Sequence, residues 1–193
     1  MQLVGQVPLK KKRNKIHPYK FALWVACAAI VMMFAALTSA YMVRKSGGNW
    51  LEFTLPNVFY INTLVILLSS ISIHGAYLAF KKNNHKLYKI LLSGGAILGL
   101  TFVTLQYQGW QELIAQGIEL KTNPSSSFLY VISGLHLAHI IPGIVAIVLA
   151  FIFAFIRKQE VTPLSKLRLE LVVHYWHFVD FLWVYLFVFL LLQ

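Results

Sequence analysis

The chain has 193 residues, of which 59% are hydrophobic and only 12% charged, with a mean hydropathy of +0.69. A soluble domain of this size needs more polar surface than that, so the composition excludes one. In lipid every backbone polar group must be satisfied internally, which makes long apolar runs helices. The net charge of +11 raises nucleic acid as a partner. The basic residues, however, fall in separate segments with no aromatic interleaving, which excludes that reading.

A basic segment, residues 1–19, opens the chain and holds Lys10, Lys11, Lys12, Arg13 and Lys15. Five runs long enough to cross a bilayer follow, at about 20–43, 56–80, 88–110, 128–156 and 170–193. The first has no small-residue cleavage site after it, so it is expected to remain as a membrane anchor. It carries Cys27, the single cysteine, which reads as a small buried apolar side chain. The second opens at Leu55-Pro56, with proline suited to a first helical turn, and carries Ser72, Ala76 and Ala79. The third holds Gly95 and Gly99, a small-xxx-small pair that permits close helix approach. Beyond it, Trp110, Leu113, Ile114 and Ile118 recur at helical spacing, which predicts a short interfacial helix over 109–121. The fourth contains Pro142-Gly143, where a kink is expected. The fifth is interrupted only by Asp180.

Fourteen of the 17 basic residues precede the first run or lie between runs two and three or four and five. Because Lys and Arg are retained in the cytoplasm, the N-terminus is expected inside and the C-terminus outside. The anionic leaflet explains the Lys10–Arg13 cluster. Tyr19, Trp24, Trp50, Tyr107, Trp110 and Tyr130 stand near predicted span ends, as interfacial aromatics do. The expected fold is an all-α integral membrane protein, a five-transmembrane-helix bundle in one unit over 20–193.

Ionisable groups inside the membrane are functional candidates by default. Here they are His74, His136, His139, His174, His177 and Asp180. The pairs at H-x-x-H spacing share a helix face, so three readings stay open: glue between helices or to lipid headgroups, a proton-related role, and imidazole ligands to a metal or haem. Depth argues against a shared ion. With span centres near residues 142 and 182, the two histidine pairs lie roughly 12–20 Å apart along the membrane normal, far beyond coordination distance. His74 stands alone and reads as a structural histidine. No nucleophile constellation, phosphate loop or cofactor fingerprint appears.

The segment His174-Tyr175-Trp176-His177-Phe178-Val179-Asp180, followed by Trp183 and Phe187, resembles the closing signature of subunit III of cytochrome c oxidase. Ser133-Gly134-Leu135-His136-Leu137-Ala138-His139 with Gly143 is similar to the family's T-G-x-H-x-x-H-x-x-x-G helix. Leu55-Pro56-Asn57, Asn62-Thr63 and Ser69-Ser70 resemble another of its helices. Gly99, Phe102, Gln106, Gly109-Trp110 and Asn123-Pro124-Ser125 also fall in place. Phe34-Ala35-Ala36-Leu37 with Ser39-Ala40-Tyr41 resembles the first helix of the short bacterial forms. The resemblance covers about residues 20–193.

It implies a non-catalytic subunit of a respiratory haem–copper terminal oxidase, which reduces oxygen and pumps protons. Haem and copper belong to subunits I and II, and this chain holds no cofactor or metal. The implied alternative is subunit III of a quinol oxidase, or a subunit III-like accessory of a nitric oxide reductase. Partners by resemblance are subunits I and II, a small subunit IV, phospholipids and a respiratory supercomplex, in the bacterial cytoplasmic (inner) membrane. The family's role is to stabilise subunit I, bind lipid and support proton uptake. His136, His139, Trp176, His177 and Asp180 carry over as structural and lipid- or subunit-contact residues. Two departures stand out. Long members have seven helices around a lipid-filled cleft, and this chain matches the last five. The buried acid that many members carry three residues after the glutamine is here Gly109.

Overall fold

In a computed structural model, residues 17–156 and 161–192 are described. The Lys10–Arg13 cluster, Lys15, Arg157, Lys158 and Gln193 lie outside the described residues. The chain forms five helices: α1 (Pro18–Ser46), α2 (Val58–Lys81), α3 (His85–Ala115), α4 (Pro124–Ile156) and α5 (Pro163–Leu191). All five are long and apolar enough to span a membrane. Helix starts follow local chemistry. Pro18 opens α1 behind a His17 ring that accepts from the Tyr19 amide. At α5, Thr162 and Ser165 exchange capping bonds ahead of Pro163.

Neighbouring contacts define the arrangement. α2 packs on α3, α3 on α4, α4 on α5 and α5 back on α2, which closes a four-helix bundle. α1 lies outside it, packed on α4 and α5 but not on α2 or α3. The bundle interior is filled by Phe59, Ile66, Ile73, Leu92, Phe102, Trp176 and Trp183, all nearly or fully buried. A second, smaller apolar cluster of Phe34, Tyr41, Ile132, Leu182 and Leu186 fastens α1. One end of the bundle, the basic end, carries Lys20, Lys81, Lys89 and Arg168. At the other, Tyr41 packs edge-on against Trp50, Phe128 and Phe189.

Small residues admit large partners here. Side chains built on Gly99 and Gly143 would stand 3.1 and 2.9 Å from the Trp176 indole, so that ring is clamped between α3 and α4. Gly95 makes room for Ile73 on α2. The α2–α3 contact is then sealed by hydroxyls, Ser69 Oγ donating to the Gly95 carbonyl at 2.9 Å and Ser72 Oγ to that of Leu91 at 2.8 Å. In a membrane such bonds replace a hydrophobic driving force that lipid does not supply.

Two expectations change. The stretch 109–115 is the last two turns of α3 and not a separate interfacial helix, with a turn at Gln116–Gly117 ending it. Leu113 and Ile118 are buried in the main core, so packing absorbs the apolar face that suggested a surface helix. α5 begins at Pro163, because Lys166, Arg168 and Glu170 ride on its first two turns where a headgroup layer can solvate them.

Candidate functional site: an intramembrane polar seam

The polar residues of the core form a chain of pairings between helices. Asn62 on α2 donates from Nδ2 to Gln106 Oε1 on α3 at 2.9 Å, both being essentially fully buried. Trp183 Nε1 on α5 donates to Thr63 Oγ1 at 3.0 Å. Trp110 Nε1 donates to Ser133 Oγ at 3.1 Å, tying α3 to α4. Each joins two helices across hydrocarbon, where such bonds contribute about 0.6 kcal/mol on average.

The five residues carried over by resemblance fall into two groups. His136, Trp176 and Asp180 are enclosed by this chain's own helices, at 0%, 0% and 2% exposure. His139 and His177 are half-buried and reach its surface. The His136 ring lies among Trp183, Phe102 and Phe34, with centroids 5.0, 6.2 and 6.3 Å away. His139 bonds through Nδ1 to the Leu135 carbonyl one turn back, at 2.7 Å, and faces Phe34 on α1. Its own carbonyl accepts from the Tyr175 hydroxyl at 2.7 Å. That carbonyl is next to the one of Ala138, which loses its ladder bond because Pro142 has no amide hydrogen.

His177 faces the other way, toward α2. Its Nδ1 is hydrogen-bonded to Ser70 Oγ, and its Nε2 lies 3.1 Å from Nδ1 of His74. His74 is therefore no isolated structural histidine; it is the outer member of an imidazole pair. Asp180, one turn on from His177, does not pair with it. Ser70 stands beside the carboxyl, but its hydroxyl is engaged with His177, and both carboxyl oxygens are without a hydrogen bond. His174 bonds from Nδ1 to the Glu170 carbonyl at 2.6 Å, and the Glu170 side chain holds Lys20 of α1 at 2.5 Å.

The depth expectation needs correction. Gly143 opposes Trp176, and α4 and α5 run antiparallel. At 1.5 Å per residue His139 and His177 then differ in depth by roughly 5 Å, and His136 and His174 by roughly 14 Å. The early start of α5 puts its midpoint at His177 and not near residue 182. Facing, more than depth, keeps the pairs apart. Among the described residues no three of His, Cys, Asp and Glu gather into a metal-holding group.

Away from these residues, a groove of about 610 Å³ opens at the basic end between α4 and α5. Phe80, Tyr88, Ala150, Phe153 and Val172 give it apolar walls, and Arg168 stands at its lining. The sequence offered Ser70, Asn62, Gln106 and Tyr175 only as motif positions. Polar side chains inside apolar runs were the available signal, but partners on other helices are invisible to spacing.

Comparisons with known proteins converge on one family. Residues 21–192 match the family model described as cytochrome c oxidase subunit III. A ubiquinol oxidase subunit 3, of the cytochrome bo(3) type, from Buchnera aphidicola is 27% identical over 186 residues, covering 94% of this chain and 95% of that one. A probable cytochrome c oxidase subunit 3 from Nocardia farcinica is 30% identical over 169 residues, covering 81% and 79%. A haem–copper oxidase subunit I+III from Aeropyrum pernix is 28% identical over 177 residues, which are 86% of this chain and 22% of that longer one. With a match running from the first turn of α1 to the end of α5, the chain belongs to the cytochrome c oxidase subunit III family of haem–copper oxidases.

Proposed function

We propose that this chain is the non-catalytic third subunit of a respiratory oxidase that takes electrons from cytochrome c. The observation that carries the reading is the family match across all five helices, together with polar residues that bond helix to helix inside the chain. A second reading, with quinol as donor, is favoured by the Buchnera relative, which is named a ubiquinol oxidase subunit and aligns over nearly the whole chain.

Haem and copper reside in the neighbouring subunits I and II, where oxygen is reduced. The Aeropyrum relative, named as subunits I and III in one chain, supports direct adjacency to subunit I. The third subunit stabilises that neighbour, and its groove by Arg168 suits a phospholipid acyl chain with an anionic headgroup at the basic end. The N-terminus is cytoplasmic and the membrane is the bacterial inner membrane. His136, Trp176 and Asp180 act from within the bundle, and His139 and His177 serve at contacts.

The test is gentle purification through a tag on this chain. Haem, copper and two larger subunits should accompany it, and the complex should consume oxygen with reduced cytochrome c. Oxygen uptake with a quinol alone would move the assignment to the second reading. A chain that brings no haem protein from intact membranes would refute both.

A further inference from the structure

α5 packs on both α1 and α2, yet α1 and α2 do not touch each other. The outer flank of α5 is therefore an open crevice between them. It begins at the basic end with the Lys20–Glu170 ion pair and continues through His174 and His177 to Phe181, which is 76% exposed. Glu170, His174, His177 and Phe181 repeat at three and four residues and so share one stripe. From α2, Ser70 and His74 join it.

Beyond Glu170 and its headgroup layer, this stripe stays polar to a depth where lipid cannot serve it. His177 is the midpoint of α5, and His74 stands little more than one turn from the midpoint of α2. His177 uses both ring nitrogens, on Ser70 and His74. His74 and His174, both exposed, each have Nδ1 engaged, and among the described residues no hydrogen bond reaches Nε2 of either. Hydrocarbon offers such a nitrogen nothing. The contrast with α3 is direct. Its exposed Thr101 and Thr104 return their hydroxyls to the Ile97 and Thr101 carbonyls of their own helix. Those two hydroxyls ask nothing of lipid, whereas Nε2 of His74 on the α5 flank is left without a partner among the described residues.

We infer that the crevice between α1 and α2 is where the core oxidase subunit docks, one of its transmembrane helices presenting a hydrogen-bonding side chain to the ring of His74. A hydroxyl, carboxamide or carboxyl at that level matches an imidazole nitrogen that can donate or accept. Around it the partner helix is apolar, because Ile71 and Phe181 flank the site with 69% and 76% of their surface open. A headgroup cannot occupy this depth, and a free acyl chain leaves the nitrogen unpaired. The inference rests on the subunit III reading and adds to it the contacting face and the residue that registers it.

Photoactivatable cross-linkers placed at residues 71 and 181, and for comparison at 97 and 141 on the α3 and α4 faces, would be irradiated in intact membranes. Cross-links to the haem-bearing subunit are expected from 71 and 181 only. Links from 97 or 141 alone, or links from 71 and 181 to a second copy of this chain, would overturn the docking face while leaving the family reading intact. In parallel, His74→Leu should lower retention of this chain on a tagged core subunit by roughly 3- to 10-fold, and His74→Gln should recover much of it. Were His74 lipid-facing, the leucine would leave retention unchanged or raise it, and the inference would fall. A wild-type chain with no haem-bearing neighbour would end the subunit reading itself.

Discussion

Trp176 shows how single residues set the packing of this bundle. The indole is fully buried and sits between two glycines on different helices, with no room for a methyl group at Gly143 and little at Gly99. Gly143→Ala should therefore cost about 1–3 kcal/mol as the ring or α4 is forced to shift. Gly134 lies on the same helix with nothing within 4 Å of its missing side chain. There alanine gains up to about 1 kcal/mol from reduced backbone freedom. Thermal unfolding of the two variants in detergent should move the midpoint in opposite directions, and parallel shifts would show that Trp176 is not clamped. Only part of this was legible in the sequence. Gly95 and Gly99 were readable as small residues that let helices approach, but which side chain each admits depends on the facing helix. The bonding of His74 to His177 was hidden for the same reason, since the two are 103 residues apart in the chain.

At the scale of the element, α4 and α5 are the informative pair. A proline inside α4 removes one backbone donor from an apolar environment that cannot replace it. Tyr175 of α5 supplies a hydroxyl to the neighbouring carbonyl of His139. The bond lies beside the defect, whose own orphaned carbonyl is that of Ala138, and ties the weakened turn to helix–helix registry. Tyr175→Phe keeps the ring and removes only that bond, so a loss of about 0.5–1.5 kcal/mol is expected. Amide hydrogen exchange should rise in the turn around residues 138–143 and stay unchanged in α2 and α3; a uniform rise would locate the effect elsewhere. The run of apolar residues made all five helices readable in advance. Their ends were less so. Lys166 and Arg168 placed the expected start of the fifth run at about residue 170, and Thr162-Pro163 was the better signal, because a cap and a proline together fix where α5 starts. The misjudged start is what stretched the expected depth gap between the histidine pairs.

The whole molecule is a four-helix bundle with α1 attached outside, and its charge distribution predicts an orientation. All five helices alternate in direction, so the α2–α3 turn and the start of α5 share an end with the start of α1. Lys81, Lys82, Lys86 and Lys89 flank that turn, and Lys166 and Arg168 sit in the opening turns of α5. Arg44, Lys45 and Lys121 are the few basic residues at the other end. Each positive charge held near an anionic leaflet is worth about 1 kcal/mol, so this asymmetry strongly favours the basic end inside. A phosphatase active only outside the cytoplasm should then be active when fused after residue 192 and silent when inserted at residues 83–84. The same asymmetry predicts how orientation fails. Neutralising the four lysines around the α2–α3 turn removes the local reason for its retention, so reporter activity should appear there before it appears at residue 17. Activity at 83–84 in the unaltered chain would reverse the topology, and with it the assignment of the Lys20–Glu170 pair and the groove beside Arg168 to the cytoplasmic leaflet.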